Sequence, residues 1–129
     1  MYRILVAEDE PIERKVLCKN LQKHLGGQCQ VLEAKNGREA VELFLQHRPQ
    51  VAILDIEMPG LSGLEAARQI RACGLADAGS IPVIALSADV DPESAKRCIE
   101  AGMSACLSKP INTAELFATL SREIMKAEE

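Results

Sequence analysis

Aromatic residues and histidines are scarce in this sequence. Its 129 residues include no tryptophan, one tyrosine and two phenylalanines, so few side chains are available to stack on nucleic-acid bases. The formal net charge of −4 gives no electrostatic reason for direct binding to nucleic acid. The two histidines, His24 and His47, have polar neighbours and are predicted to lie on the surface. A histidine-based metal site and a Ser-His-Asp triad are therefore disfavoured.

The sequence also lacks the cysteine pairs and long apolar runs that mark other classes of protein. No C-x-x-C pair occurs among its five cysteines, which argues against a zinc knuckle or a thioredoxin-type redox site. We expect reduced and mostly buried thiols. No stretch is long enough for a membrane span, and the start MYRILVAEDE has too short an apolar run for a signal peptide. These features predict a cytoplasmic protein that does not bind membranes. The cysteines are Cys18, Cys29, Cys73, Cys98 and Cys106.

What the sequence does contain is a regular alternation of apolar runs and helix-like segments. With 47% hydrophobic and 26% charged residues, the chain is long enough for one domain with a buried core. We therefore expect residues 1–129 to form a single domain. The apolar runs predict strands at 4–7, 51–54 and 83–86, with weaker strands at 30–33 and 105–107.

Segments with helical spacing follow each of these strands. Pro11 suits the first turn of the first helix, and Asn36, Asp91 and Asn112 stand where capping residues are expected. Five alternating strands and helices predict an α/β fold with a parallel sheet wound on both faces. The central strands support this, because they are apolar throughout rather than alternating. The predicted apolar stripe of the first helix comprises Ile12, Val16, Leu17, Leu21 and Leu25.

Polar residues follow four of the predicted strands. The acidic run at 8–10 follows the first strand, Asp55 the third, Ser87 the fourth and Lys109 the fifth. Because the carboxyl ends of parallel strands meet at one edge of a sheet, we expect these groups to share a crevice. Crowded carboxylates repel one another unless a cation binds between them, and a hard cation such as Mg²⁺ suits these ligands. The chemistry that fits is phosphoryl transfer to Asp55, with the metal and Lys109 neutralising charge.

Simpler interpretations exist for each of these residues alone. The acidic run could merely complement a helix dipole, and Asp55 could merely cap the next helix; their joint position at the strand ends favours a shared site. The spacing of Asp55 and Glu57 superficially resembles the motif of aspartate-nucleophile phosphatases, but that motif closes the first strand of those enzymes. A flavodoxin-like cofactor carrier needs a Ser/Thr/Gly-rich phosphate loop after the first strand, where this chain is acidic.

Five motifs resemble those of the receiver domains of two-component response regulators, chemotaxis response regulators among them. The resemblance covers the whole chain. It implies a flavodoxin-like (βα)5 fold with parallel strands in the order 2-1-3-4-5. It also implies a phosphoacceptor in signalling, not an enzyme with turnover, that catalyses only its own phosphorylation and dephosphorylation. The motifs are ILVAEDEP at 4–11, NGREA at 36–40, LDIEMPGLSGLE at 54–65, PVIALSA at 82–88 and LSKPI at 107–111.

The resemblance implies roles for the acidic residues of the crevice. Asp55 would be the phosphoacceptor and also a ligand of Mg²⁺ or Mn²⁺. Asp9 would bind the metal directly, and Glu8 would hold it through water. Glu57 would offer its backbone carbonyl to the metal. The side chains of Glu57 and Asp89 stand at positions that tune dephosphorylation in the family.

The resemblance also implies how phosphorylation would act on the rest of the domain. Lys109, preceding Pro110 through a cis bond, would contact the phosphate, and Ser87 would be the switch hydroxyl. The surface of the fourth helix, fifth strand and fifth helix would then shift between two populations. Cys106 is a departure, since it stands where many receivers have an aromatic switch residue.

Partners are implied only by class. The phosphoryl donor would be a sensor histidine kinase or a histidine phosphotransfer protein. The sequence leaves open a DNA-binding output domain after Glu129, attachment to a hybrid histidine kinase, a freestanding domain and a homodimer. A pseudo-receiver that works without phosphorylation is disfavoured, because Asp9, Asp55, Ser87 and Lys109 are all present.

Overall fold

The computed structural model describes residues 2–74, 79–88 and 91–127 of the chain. Within these ranges five strands alternate with five α-helices, as the sequence predicted. A short 3₁₀ turn, Gly26–Gln28, joins the first helix to the second strand. The strands are Tyr2–Ala7 (β1), Cys29–Ala34 (β2), Val51–Asp55 (β3), Val83–Ser87 (β4) and Ala105–Ser108 (β5). The helices are Pro11–Leu25 (α1), Gly37–His47 (α2), Gly63–Ala72 (α3), Pro92–Glu100 (α4) and Thr113–Ala127 (α5).

The strands form one parallel sheet in the order β2-β1-β3-β4-β5. The predicted fold and strand order are confirmed. Every residue of β3 and β4 is buried, which explains why these strands read as continuous apolar runs. One apolar cluster joins a face of the sheet to α2 and α3, and a second joins the other face to α1 and α5.

The register of the strands brings their carboxyl ends to one edge of the sheet. Ala7 of β1 is aligned with Leu54 of β3, and Asp55 is aligned with Leu86 of β4. The same alignment continues from β4 to β5. Residues that directly follow these strands therefore lie close to one another, although they are far apart in sequence.

Short-range signals define where most of the helices begin. The side chains of Asn36, Ser62, Asp91 and Asn112 each accept a hydrogen bond from the backbone N–H three residues later, at 2.7–3.2 Å. Such a cap typically contributes about 1 kcal/mol. Pro11 is the first residue of α1, where its missing N–H has no helical partner to lose.

The single apolar stripe predicted for α1 is wrong. Leu17 and Leu21 lie in the core, but Ile12 and Val16 are 73% and 54% exposed. Successive residues are about 100° apart around a helix, so the row that contains Leu17 and Leu21 faces away from the row that contains Ile12 and Val16. The sheet covers only the row with Leu17 and Leu21, so Ile12 and Val16 form an apolar strip on the surface of α1.

A glycine brings α3 against the strand that carries Asp55. A Cβ atom on Gly63 would collide with the backbone carbonyl of Asp55. The N–H of Gly63 instead donates to the carbonyl of Ile56 at 3.2 Å. In the preceding loop Gly60 has φ of +75°, a conformation that favours glycine. This tight loop before α3 therefore supports the backbone of Asp55.

Candidate functional site

Asp55 lies at the carboxyl end of β3, with 1% of its surface exposed. Its Oδ1 accepts a hydrogen bond from the backbone N–H of Glu57 at 3.1 Å. Its Oδ2 lies 2.9 Å from the Nζ of Lys109. A carboxylate at the end of a buried strand, held by an amide and an ammonium, has one fixed orientation toward the crevice.

Lys109 follows β5 and precedes Pro110 through a cis peptide bond, as expected. Besides Asp55, its ammonium lies 3.2 Å from each carboxylate oxygen of Glu8 and 3.4 Å from Glu13. Burial alone would lower the pKa of Lys109, but the Asp55 and Glu8 carboxylates outweigh it and raise the pKa above its usual value. Lys109 is therefore a cation that bridges three acidic side chains.

Glu8, Asp9 and Asp55 form an acidic cluster in which a carboxylate oxygen of each lies within 4.8 Å of the others. Glu8 is buried and Asp9 is exposed. Burial, followed by interactions with Asp55 and Glu13, raises the pKa of Glu8 to about 9. Burial and repulsion between neighbouring carboxylates disfavour a cluster that holds all its negative charge without a further cation. Oxygen ligands of this kind fit a hard divalent cation such as Mg²⁺.

Ser87 is buried at the end of β4. Its Oγ donates to Oε1 of Glu57 at 3.0 Å, and the N–H of Ala88 donates to the same oxygen at 3.1 Å. Burial alone would raise the pKa of Glu57, but the hydrogen bonds donated by Ala88 and Ser87, together with the interaction with Asp55, outweigh it and hold the pKa below its usual value. The Glu57 side chain is thus an anion bound to the end of β4.

Cys106 lies in β5, at the position where the family resemblance places an aromatic switch residue. Its Sγ is 3.7 Å from the Sγ of Cys98 in α4. Burial, followed by the contact with Cys98, raises the pKa of Cys106 to about 12. The two cysteine side chains fill the space between α4 and β5.

Several features of the site were missed by the sequence analysis. The contact of Glu13 with Lys109 and the bond between Glu57 and Ser87 join residues whose separation carries no sequence signal. Glu10, which belongs to the acidic run, is exposed and stands at the start of α1. Asp89 lies outside the described residues.

A groove of about 260 Å³ opens beside the crevice, between α1 and the segment that follows β5. Lys109 lies at its crevice side, and the exposed apolar residues Ile12 and Val16 line it together with Ile111. The groove therefore joins an apolar surface directly to the charged site.

Comparison with known proteins decides the family. Residues 4–121 match the family model described as the response regulator receiver domain. The chain belongs to this family. Receiver domains of two-component systems accept a phosphoryl group and bind Mg²⁺ at an acidic site. They are signalling domains rather than classical enzymes, which decides against the phosphatase and cofactor-carrier alternatives.

Curated relatives include both long kinases and short regulators. The chain is 35% identical over 118 residues to the sensor histidine kinase RcsC of Escherichia coli, covering 92% of this chain but 12% of that protein. It is 38% identical over 124 residues to protein PilH of Pseudomonas aeruginosa, covering 94% of this chain and 96% of PilH. This receiver domain therefore spans only a small part of the kinases that it matches.

Solved structures confirm the fold. The chemotaxis protein CheY4 of Vibrio cholerae has a TM-score of 0.86 at 29% identity, over 95% of this chain and 98% of that chain. The receiver domain of the sensor histidine kinase PA1611 of P. aeruginosa has a TM-score of 0.84 at 33% identity, over 96% and 98%. That structure has a magnesium ion coordinated in the active-site cleft. Among the described residues of the present receiver, no helix is long and apolar enough to cross a membrane.

Proposed function

We propose that this receiver accepts a phosphoryl group from a phosphohistidine onto Asp55. An oxygen of the Asp55 carboxylate attacks phosphorus, the P–N bond to the donor histidine breaks, and the histidine leaves as neutral imidazole after taking up a proton. The observation that carries this proposal is the 2.9 Å contact between Asp55 Oδ2 and Lys109 Nζ. The ammonium is placed to neutralise charge on the transferred oxygens.

We propose that Glu8, Asp9 and Asp55, with the backbone carbonyl of Glu57, hold Mg²⁺ or Mn²⁺. The acidic cluster and the raised pKa of Glu8 support this assignment, because a divalent cation would relieve the repulsion among the carboxylates. When bound, the cation would offset negative charge on the phosphoryl group. A separate step, the domain's own slow hydrolysis, would remove the phosphoryl group: water attacks phosphorus, the P–O bond to Asp55 breaks, and inorganic phosphate and the free carboxylate result.

We propose that Ser87 and Cys106 act as the switch residues of this receiver. A phosphoryl group brings about −1.5 to −2 charges and new acceptor oxygens next to Lys109. Ser87 is one residue beyond the β3–β4 register pair that contains Asp55, so its hydroxyl is within reach of a group on that carboxylate. Its movement would be passed through β5, which carries Cys106, to the surface formed by α4, β5 and α5.

We propose that residues 1–129 form a single cytoplasmic receiver domain. Its phosphoryl donor would be a sensor histidine kinase or a histidine phosphotransfer protein. The exposed residues Ile12 and Val16, beside the crevice, offer an apolar surface on which a donor helix can lie while its phosphohistidine reaches Asp55. All five cysteines are free, as fits a reducing compartment.

Intact-mass spectrometry after incubation with acetyl phosphate, with and without Mg²⁺, tests the phosphoacceptor. We expect one Mg²⁺-dependent phosphoryl adduct on the wild type and none on Asp55→Asn. Asp91→Asn is the matched control, because it makes the same chemical change at a helix cap where asparagine also serves, and it should keep the adduct. An adduct that persists in Asp55→Asn would refute the assignment of Asp55.

A missing adduct on the wild type also has a defined meaning. If Mg²⁺ still binds, the receiver requires its own phosphohistidine donor, and the experiment is repeated with that donor class. If neither the adduct nor Mg²⁺ binding is seen, the phosphoacceptor function is wrong and the domain binds partners without phosphorylation.

A further inference from the structure

The side chain of Glu57 is tied to the end of β4. One carboxylate oxygen, Oε1, accepts hydrogen bonds from Ser87 Oγ at 3.0 Å and from the N–H of Ala88 at 3.1 Å. The backbone N–H of the same residue donates to Asp55 Oδ1 at 3.1 Å. Glu57 is an exposed residue, so core packing does not explain why its carboxylate turns back to these two donors. The contact holds an anion beside the proposed phosphoacceptor.

We propose that the Glu57 carboxylate is an internal anion that occupies the Ser87 O–H and the Ala88 N–H until a phosphoryl group on Asp55 displaces it. This inference rests on the proposed function and adds to it a positioning residue. A serine hydroxyl has one hydrogen to donate, so Ser87 cannot donate to Glu57 and to a phosphoryl oxygen at once. Movement of Ser87 toward the phosphoryl group therefore requires the bond to Glu57 to break.

Charge adds to this competition. A phosphoryl group on Asp55 carries about −1.5 to −2 charges, and a carboxylate held nearby is repelled by it. Ser87 is buried at the strand end, whereas Glu57 is exposed and can turn its carboxylate into water once released. Release of Glu57 into water therefore costs little free energy. Until then, the hydrogen bond to Glu57 holds the Ser87 hydroxyl in its resting position.

The expected change in affinity for a phosphoryl mimic depends on how exposed the hydrogen bonds of Glu57 to Ser87 and Ala88 are. Hydrogen bonds made partly in water have a modest net value, so their loss shifts an equilibrium by about threefold to tenfold. Removing the Glu57 side chain should strengthen binding of a phosphoryl mimic by that factor. The backbone carbonyl of Glu57, proposed above as a metal ligand, is retained in any side-chain variant.

The experiment measures beryllofluoride affinity at saturating Mg²⁺ for the wild type, Glu57→Ala and Glu57→Gln. Glutamine keeps an oxygen that can accept both hydrogen bonds but loses the charge. We expect Glu57→Ala to bind beryllofluoride about threefold to tenfold more tightly than the wild type, and Glu57→Gln to lie between them. Glu42→Ala, which removes an exposed glutamate from α2, controls for net charge and should match the wild type.

The amide resonance of Ala88 reports the same contact without any phosphoryl chemistry. In the metal-free protein, we expect this proton to shift upfield in Glu57→Ala, where its acceptor is lost, and to move much less in Glu57→Gln. Adding beryllofluoride to the wild type should also move it, as a new acceptor replaces Glu57. An Ala88 resonance that is the same in the wild type and Glu57→Ala would overturn the proposal.

The outcomes distinguish failure of the competition by Glu57 from failure of the phosphoacceptor function of Asp55. Equal beryllofluoride affinities in all four proteins would overturn the competition while leaving Asp55 as the phosphoacceptor. Equal increases in beryllofluoride affinity in Glu57→Ala and Glu57→Gln would show that charge repulsion acts without the hydrogen bonds. This result would also overturn the proposed competition for the Ser87 and Ala88 donors. A wild type that binds no beryllofluoride, together with no acetyl-phosphate adduct and no Mg²⁺ binding, would overturn the proposed function itself.

Discussion

The ammonium of Lys109 lies 2.9 Å from Oδ2 of Asp55, although 54 residues separate them in sequence. Asp55 is 1% exposed and the Lys109 side chain 21%, so this ion pair is largely shielded from water. In the absence of a metal ion, Lys109 is the group that compensates the charge of the buried carboxylate. The stability of the resting domain is thereby linked to the occupation of its acidic site.

Lys109→Met should destabilise the metal-free domain by about 1.5–3 kcal/mol, because charged hydrogen bonds to Asp55 and Glu8 are lost. Mg²⁺ should restore part of this loss, since a second cation compensates the same carboxylates. Urea denaturation with and without Mg²⁺ measures both quantities. Lys126→Met is the control; its contact with Glu123 is 3.5 Å long and its side chain is 63% exposed, so we expect a change below about 0.5 kcal/mol. If Lys109→Met lowers the free energy of unfolding equally with and without Mg²⁺, stability is not linked to occupation of the acidic site.

Gly63→Ala should destabilise the domain by about 1–3 kcal/mol, because the new methyl group must displace the backbone carbonyl of Asp55. The same displacement should reduce the yield of the acetyl-phosphate adduct. Gly79→Ala is the matched control, since nothing lies within 4 Å of a Cβ there, and it should change the free energy of unfolding by less than about 0.5 kcal/mol. Equal stability of the two variants would show that the loop moves freely.

Cys106→Tyr should change how phosphorylation is coupled to the surface of α4, β5 and α5. The thiol of Cys106 now lies 3.7 Å from that of Cys98, and a tyrosine ring cannot occupy this space without rearranging α4 or pointing toward solvent. NMR shift maps recorded with and without beryllofluoride measure the coupling, with Cys106→Ser as the size-matched control. An unchanged set of shifts in Cys106→Tyr would refute this prediction.

The thiols of Cys18 and Cys106 should react slowly with iodoacetamide at neutral pH. Burial is the main cause that raises the pKa of each to about 12, so the thiolate fraction at pH 8 is on the order of 10⁻⁴. Alkylation followed by peptide mass mapping should show rates that rise about tenfold per pH unit up to pH 11. The guanidinium-unfolded protein is the control, with a thiol pKa of about 8.5. Rates equal to those of the unfolded chain would contradict the raised pKa values.

The same pKa values determine the direction of a pH effect on stability. A thiol whose pKa is raised on folding binds its proton more tightly in the native state. Its contribution is fully present below the unfolded pKa of about 8.5 and is lost as the pH rises toward 12. Thermal unfolding between pH 8 and 11 should therefore show falling stability, and Cys18→Ala should weaken that slope.

Local sequence determined the elements of this protein and the order of its polar strand ends. Apolar runs and helix caps act over a few residues, so β3, β4 and the start of α1 at Pro11 follow from short stretches of chain. Parallel pairing then places whatever follows each strand at one edge, which is why Asp55 and Lys109 were expected to meet. The family resemblance supplied their roles.

Only the tertiary structure decided which partner each polar group takes. Lys109 reaches Glu8 across 101 residues, and Glu57 reaches Ser87 across 30, because strand order, register and side-chain rotamers act together at that edge. Tertiary packing also decided the exposure of Ile12. Its spacing in the sequence fits a helix, but the sheet covers only one side of α1. A sequence specifies the groups that line such a site, whereas their hydrogen bonds depend on distances that exist only after distant segments have packed together.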